Sequence, residues 1–485
     1  GGPSGVMLAG VRETGEKPSS NVANTLGRRC SVLTFDVVVI GGSAAGIPAA
    51  ITSRRHYPDK SVLLLRKEEQ TVIPCGIPYI FGTLGGAEKN LIPDATLTNA
   101  GVELFVDEAV EVDRDRKVVV TAGGKEVSYQ RLVMATGSVP LVPPIPGADK
   151  ANVFAIKKDV PYLQQMLQCL DEASHLVIVG CGFIGVELAE ECKKRRGTLQ
   201  VTVVEMLRHC LELVYDEEFC LKAEAALQQS GIQLLLDERV SSFLGGDRVE
   251  KVRLSSGKEL EADMVIVGIG ATANVELARK AGLEVGPTGG IQVNRYLQTS
   301  DDNIFACGDC TEKVSFFDGK PSNLKLASIA TMEARIAGAN LFGPRRANMG
   351  VIGVYSTILG ESAFAAAGLT ESQARKRGYR IIVGESEAPN RHPGAMPGAS
   401  ALKVKLVFEA GTRQLLGGQV TGARSGGELI NAISACIHQR MTADDIATFQ
   451  AGTHPALTAS PIAYQLVNAA EVAIAESVRS SLHKG

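Results

Sequence analysis

Tryptophan is missing from all 485 residues, and the aromatic residues together make up only 5% of the chain. No run of about 20 apolar residues occurs, the length a helix needs to cross a bilayer. The longest candidate, residues 37–51, is broken by glycines and by Pro48. An excess of charge of one sign is lacking too: a net charge of −3 gives no reason to expect nucleic acid or an anionic membrane as partner. Residues 1–34 lack the apolar core of a secretory signal and show no periodic pattern, so a disordered tail is expected there. The ten cysteines have no framework spacing. Reduced thiols in a cytoplasm are therefore expected, rather than a disulfide scaffold or a metal site.

What is present points to an enzyme. The 52 glycines, 45% hydrophobic content and 21% charged content fit an α/β protein rich in tight strand-to-helix turns. The length exceeds one small core and suggests three domains. Phe35–Ile40 is a fully apolar strand followed by Gly41-Gly42-Ser43-Ala44-Ala45-Gly46 and a helix-like Ile47–Arg55. Strand, glycine turn and helix form a dinucleotide-binding unit, with the pyrophosphate on the helix N-terminus. The next strand, Ser61–Leu65, should end in an acid for the ribose, but Arg66-Lys67-Glu68 stand there.

Downstream lies Pro74-Cys75-Gly76-Ile77-Pro78-Tyr79-Ile80. A lone cysteine is usually structural. Here Pro74 and Gly76 bring the backbone close, and a helix from Ile77 onward would favour a thiolate at its positive end. Ile80 occupies the place of the second cysteine of a CxxxxC pair, so an internal dithiol relay is excluded. A single thiol can instead cycle through a mixed disulfide, a persulfide or a sulfenic acid.

Residues 103–135 alternate as strands around a Gly123-Gly124 turn and close on Ala135-Thr136-Gly137, before a proline-rich linker at 140–146. Strand Leu176–Val179 then leads into Gly180-Cys181-Gly182-Phe183-Ile184-Gly185, an intact G-x-G-x-x-G. The following strand, Gln200–Val204, ends in Glu205, 25 residues after Gly180. An acid there suits the free 2′-hydroxyl of NADH, while Arg208 nearby keeps NADPH as the alternative donor. Met264–Gly270 is another strand ending in glycines and marks the return toward the first unit. Cys307-Gly308-Asp309-Cys310 is formally a CxxC, but the better reading is a strand end whose Asp309 holds flavin ribitol. Beyond about Met349 no fingerprint remains, and an interface domain is expected, with His454-Pro455 in a loop before its last helix.

Two fingerprints, the Ala-Thr-Gly turn, the Gly-Asp strand end and a C-terminal interface domain, in this order, resemble the pyridine nucleotide–disulfide oxidoreductases over roughly residues 35–475. The single cysteine is similar to the subgroup of coenzyme A-disulfide reductases, coenzyme A-dependent sulfur or persulfide reductases, and NADH oxidases and peroxidases. The resemblance implies two Rossmann-like domains plus a C-terminal α+β dimerisation domain. Its boundaries are 35–150 and 272–347 for the FAD domain, 151–271 for the NAD domain and 348–485 for the interface. It implies FAD at Gly41, Ser43, Gly46, Arg66, Ala135, Thr136, Gly137 and Asp309. It implies NAD(H) at Gly180, Gly182, Phe183, Ile184, Gly185, Glu187, Glu205 and Gly268, with Phe183 as aromatic gate and Glu187 near the nicotinamide.

A homodimer is implied, passing hydride from NADH through FAD to Cys75, which reduces a small disulfide, persulfide or polysulfide. Coenzyme A is a candidate component of that acceptor, with Arg54 and Arg55 as candidate phosphate contacts. The alternatives are an NADH oxidase making peroxide or water, and a redox-sensing flavoprotein. Two departures stand out. Ala44 and Ala45 replace the histidine that oxidase and peroxidase members carry in the first glycine turn. Residues 395–398 and 452–455 hold neither of the tyrosines of the coenzyme A-disulfide reductases. His454-Pro455 is similar to the histidine–proline loop of the dithiol enzymes, which makes His454 a candidate general acid reaching across the dimer.

Overall fold

The computed structural model describes residues 32–482. Its first sheet is wholly parallel, in the order Ile304–Ala306, Arg131–Met134, Val37–Ile40, Val62–Arg66, Glu103–Val106. Val37–Ile40 is apolar on both sides and buried along its length, as a strand covered on both faces must be. Helix α1 (Gly46–His56) follows it and carries Arg54, Arg55 and His56 in its last turn, where cations meet the negative helix end.

An antiparallel meander, Ala109–Asp113, Val118–Thr121 and Glu126–Ser128, lies beside this sheet. Leu33–Thr34 joins it in parallel, Leu33 opposite Val127. The expected tail therefore includes two residues that pair as strand, and the rest of it, up to residue 31, lies outside the described residues.

The chain crosses to the second sheet at Ser138–Pro140 and back at Ala271–Ala273, and the two crossings pair antiparallel. Met264–Val267, expected to mark the return, instead sits inside the second sheet. That sheet is parallel, in the order Val153–Ala155, Met264–Val267, His175–Val179, Gln200–Val204, Gln233–Leu235. Helix α2 (Phe183–Arg195) follows its central strand. Helix α3 (Ala327–Asn340) then packs on α1; Gly338 permits the approach, since a Cβ there would lie 2.7 Å from the Ala49 carbonyl.

The third sheet is antiparallel: Val354–Leu359, Ser362–Gly368, Leu415–Gly422, Ala401–Glu409, Ile381–Pro389. Gly426–His438 and helix α4 (Gln465–Leu482) cover it. Gly384 lets α4 seat directly on the sheet, because a Cβ there would fall 1.8 Å from the Ala469 carbonyl. Lys405, 3% exposed, ties the sheet to the second unit through Asp216 at 3.1 Å and pairs within its own unit with Glu371 at 3.0 Å. A lysine so buried needs such partners. The architecture is the expected one of two dinucleotide-binding units and an α+β unit. Among the described residues no helix is long and apolar enough to cross a membrane.

Candidate functional site

Gly41, at φ +111°, ends the first central strand, and a Cβ on it would lie 2.0 Å from the Ala135 carbonyl. A Cβ on Gly46 would lie 1.7 Å from the carbonyl of Gly41, so only glycine closes this turn. The Ser43 hydroxyl is buried in the turn without a hydrogen-bond partner. An orphaned donor of this kind fits a dinucleotide pyrophosphate. Arg66 stands where an acid was sought, and its side chain, 1% exposed, pairs with Asp94 at 2.8 Å. Its guanidinium also donates to the carbonyls of Glu68 and Glu69. Thr136 Oγ1 donates to the Asn274 carbonyl, and Gly137 takes φ +70° between Thr136 and Ser138.

Ser138 Oγ donates to Asp309 Oδ2 at 2.8 Å. Asp309 follows Gly308, at φ +85°, whose N–H donates to Glu333 Oε1 at 3.0 Å. Glu333 is fully buried and pairs with Lys313 at 2.8 Å; Lys313 in turn donates to the Gly308 carbonyl at 2.6 Å. The turn bearing Asp309 is thus clamped from both its N–H and its C=O. Sequence reasoning missed this pair, because an isolated Lys and Glu 20 residues apart carry no spacing signal. Cys307 and Cys310 follow the strand Ile304–Ala306 and are buried free thiols whose pKa values are pushed up by that burial. No group of three or more metal-ligating side chains occurs among the described residues.

Cys75 sits in a 3₁₀ turn, Pro74–Gly76, that runs into a helix of only four residues, Ile77–Ile80. Gly76 leaves room for the Asn90 side chain, whose Oδ1 would lie 1.9 Å from a Cβ there. The expected lowering of the thiol pKa by a helix end is not found. Partial desolvation of the thiol pushes it up, the Glu187 carboxylate adds to this, and Lys158 opposes them. A single helical turn has too small a dipole to reverse that order. Of the free cysteines among the described residues, Cys75 alone is exposed.

Glu187 comes from α2, one turn after Phe183. Burial pushes its carboxyl up to about 7. Thr357 Oγ1 donates to Glu187 Oε1 at 2.8 Å. Phe183 stacks face to face on Tyr355, centroids 5.2 Å apart and planes 7° from parallel. Neither Tyr355 nor Thr357 was expected from the sequence, since both lie in the third sheet.

The second glycine turn repeats the first. Gly180 takes φ +105° against the Gly268 carbonyl, and a Cβ on Gly185 would lie 2.0 Å from the Gly180 carbonyl. Space beyond Gly182 is open, with nothing within 4 Å of a Cβ there, and Ile184 beside it is exposed. Glu205 Oε2 accepts from the Cys181 N–H at 2.7 Å and Oε1 from the Leu207 N–H at 2.9 Å. The carboxylate is thereby fixed against the glycine turn with lone pairs to spare for a ribose hydroxyl. Arg208 is turned to Glu217, 3.7 Å away.

The expectation of wholly reduced thiols is corrected at this turn: Cys181 and Cys210 form a disulfide. Adjacent parallel strands bring their following loops together, and the Leu211 N–H donates to the Cys181 carbonyl at 3.0 Å. The two cysteines are 29 residues apart, too far for the pairing to be read from spacing.

His454 is exposed, and its bonds are local: its N–H donates to Thr458 Oγ1, and its Nδ1 accepts from the Ala456 N–H. Within this chain it is not brought to Cys75 by any bond. Its loop does meet the segment from residue 390, where His392 donates its backbone N–H to the Pro455 carbonyl. Arg54 is folded back on the carbonyls of Pro58 and Lys60, while Arg55 is exposed.

Residues 35–334 match the family model described as pyridine nucleotide-disulphide oxidoreductase, and residues 354–462 match its dimerisation domain. The chain is 30% identical to an NADH oxidase of Methanocaldococcus jannaschii, over 85% of this chain and 93% of that one. It is 34% identical to a coenzyme A-dependent NAD(P)H sulfur oxidoreductase of Pyrococcus abyssi, over 80% of this chain and 87% of that one. The solved NAD-dependent persulfide reductase from A. fulgidus superposes with a TM-score of 0.84 at 30% identity, over 92% of this chain and 84% of that one. The chain therefore belongs to the pyridine nucleotide-disulphide oxidoreductase family and is an FAD- and NAD(P)H-dependent oxidoreductase.

Proposed function

We propose that this enzyme reduces a sulfur–sulfur bond in a small acceptor (a disulfide, persulfide or polysulfide), with Cys75 as its single redox-active thiol. One observation carries the reading: Cys75 is the exposed cysteine among otherwise covered thiols, beside a carboxylate from the helix that opens on the second glycine turn. With FAD bound, the flavin would supply the electron pair, taken from NADH as hydride, that returns a mixed disulfide at Cys75 to the thiolate and frees the second sulfur as a thiol.

The chain's own residues do the rest. Gly41, Ser43, Gly46, Ala135, Thr136, Gly137 and Asp309 hold the flavin dinucleotide, with Arg66 closing its ribose end. Gly180, Gly182, Ile184, Gly185 and Gly268 shape the pyrophosphate seat of NADH, and Glu205 takes its adenosine ribose. Phe183 and Glu187 flank the nicotinamide. Cys75 attacks the acceptor sulfur as thiolate, and the leaving sulfur takes up a proton. His454 of a second copy is the candidate donor of that proton, in a homodimer built through residues 348–485. The FAD unit then comprises 35–150 and 272–347, and the NAD unit 151–271.

Coenzyme A as part of the acceptor draws support from the similarity to the coenzyme A-dependent sulfur oxidoreductase of Pyrococcus abyssi. The second reading, an NADH oxidase with Cys75 as sulfenate, draws support from the similarity to the NADH oxidase of Methanocaldococcus jannaschii. Anaerobic turnover of NADH with polysulfide, coenzyme A persulfide and coenzyme A disulfide tests the first; oxygen consumption tests the second. Cys75→Ser is expected to abolish sulfur reduction while NADH still bleaches the flavin. Full sulfur turnover by that variant would remove the thiol from the mechanism.

A further inference from the structure

The Val354–Leu359 strand touches α2 at matched positions. Residues two apart on a strand share a face, as Tyr355 and Thr357 do, and residues four apart on a helix share a face, as Phe183 and Glu187 do. The spacings agree: two strand residues advance about 6.6 Å and four helical residues about 6 Å. The result is a stacked pair, Tyr355 on Phe183 at 5.2 Å, and a hydrogen bond, Thr357 to Glu187 at 2.8 Å. A third contact lies one turn on, where the Gly360 N–H donates to Glu190 Oε1. Phe183 and Glu187 are the two α2 side chains assigned above to the nicotinamide, and both are held from a sheet that has no nucleotide fingerprint.

We propose that Tyr355 and Thr357 are positioning residues for nicotinamide binding. Together they form a two-point clamp through which the C-terminal unit sets the ring of Phe183 and the carboxylate of Glu187. The inference rests on the reading that the nicotinamide lies beside those two side chains. A face-to-face stack limits Phe183 to sliding or swinging off Tyr355, so the ring enters the NADH site from one defined resting place. The Thr357 hydroxyl fixes Glu187 in one rotamer and favours its charged form, against the burial that disfavours it. The other groups facing Glu187 are Glu191 on its own helix, Cys75 and Tyr79 on the 74–80 turn, and Tyr215; one step further out, Lys158 acts on Cys75, Glu190 on Tyr79 and Tyr355 on Tyr215.

The test uses the FAD-loaded enzyme with four variants, Tyr355→Leu, Tyr355→Phe, Thr357→Val and Thr357→Ser. NADH affinity, flavin reduction by NADH in stopped flow, alkylation of Cys75 and melting temperature are read for each. Tyr355→Leu should raise Kd and KM for NADH about 2- to 10-fold with kcat nearly unchanged, and Tyr355→Phe should restore wild-type values. Thr357→Val should move the pH midpoint of flavin reduction upward, and Thr357→Ser should return it. Alkylation of Cys75 should be unchanged by Tyr355→Leu.

Wild-type Kd and pH midpoint in the Leu and Val variants would overturn the clamp, and so would a lowered melting temperature as their sole effect. Phe183→Ala separates the two levels of argument. If it too leaves NADH affinity and flavin reduction untouched, the nicotinamide reading itself is wrong.

Discussion

Removing Glu333 puts the clamp on the Asp309 turn to a quantitative test. Glu333 is 0% exposed and Lys313 3% exposed, and they meet at 2.8 Å. The same carboxylate accepts from the Gly308 N–H at 3.0 Å and from Thr311 Oγ1 at 3.1 Å. Glu333→Leu therefore strands a buried ammonium and a buried backbone N–H together. A broken buried pair costs about 3–5 kcal/mol, which for a unit of this size lowers the melting temperature by roughly 10 °C. Most of that cost is the uncompensated charge rather than the lost attraction, so the double variant Lys313→Met/Glu333→Leu should recover a large part of it. Because Lys313 also donates to the Gly308 carbonyl, recovery of stability should not bring full recovery of flavin retention. The assay is thermal release of FAD followed by its fluorescence, beside circular dichroism of the same samples. A single variant that loses less than about 1 kcal/mol, or a double variant as unstable as the single one, would refute the argument.

The Glu187 carboxyl is raised from 4.5 to about 7, so the folded enzyme holds its proton where the unfolded chain releases it. Stability from this group is complete below pH 4.5 and is lost as pH rises to 7, a change of at most about 3 kcal/mol. Glu187→Gln should accordingly gain stability over wild type between pH 5 and 8, and a difference in melting temperature that ignores pH would contradict this. The Cys181–Cys210 disulfide closes a loop of 29 residues, so Cys181→Ala should lose about 3–4 kcal/mol in a denaturant melt. Dithiothreitol should bring wild type to the variant's midpoint and leave the variant unmoved; equal sensitivity of both would show that the bond is not what stabilises this loop.

The centres of the two parallel sheets were legible because Val37–Ile40, Leu176–Val179 and Met264–Val267 are short apolar runs followed directly by glycine, and both properties are local. The turn glycines at 41, 46, 180 and 185 each meet a carbonyl that no Cβ could approach, so chain geometry alone demanded them. Arg66 shows where local reading stops: the strand end was found, but the guanidinium partner, Asp94, lies 28 residues on with no pattern linking them. The Cys181–Cys210 bond, the Lys313–Glu333 pair and the Tyr355–Phe183 stack fail to show in the sequence for the same reason. Each joins elements that only the tertiary arrangement brings together. The thiol pKa is hidden from the sequence for a different cause: the helix after Cys75 is a single turn, too short to favour the thiolate.

Partial desolvation and the Glu187 carboxylate both make the Cys75 thiol harder to ionise, so its reactivity depends on what happens to its neighbour. Burial holds the Glu187 carboxyl at about 7. As pH falls through that value the carboxyl takes a proton, and its upward push on Cys75 disappears. The thiolate population then declines less steeply than a lone thiol's would, because each proton gained by Glu187 makes Cys75 easier to ionise. The two groups behave as one coupled titration, and neither macroscopic value belongs to either residue alone. Thr357 enters the same balance from the third sheet through its bond to Glu187. The thiol is thus tuned by three parts of the chain at once: the turn that bears it, the helix of the second unit, and a strand of the C-terminal sheet.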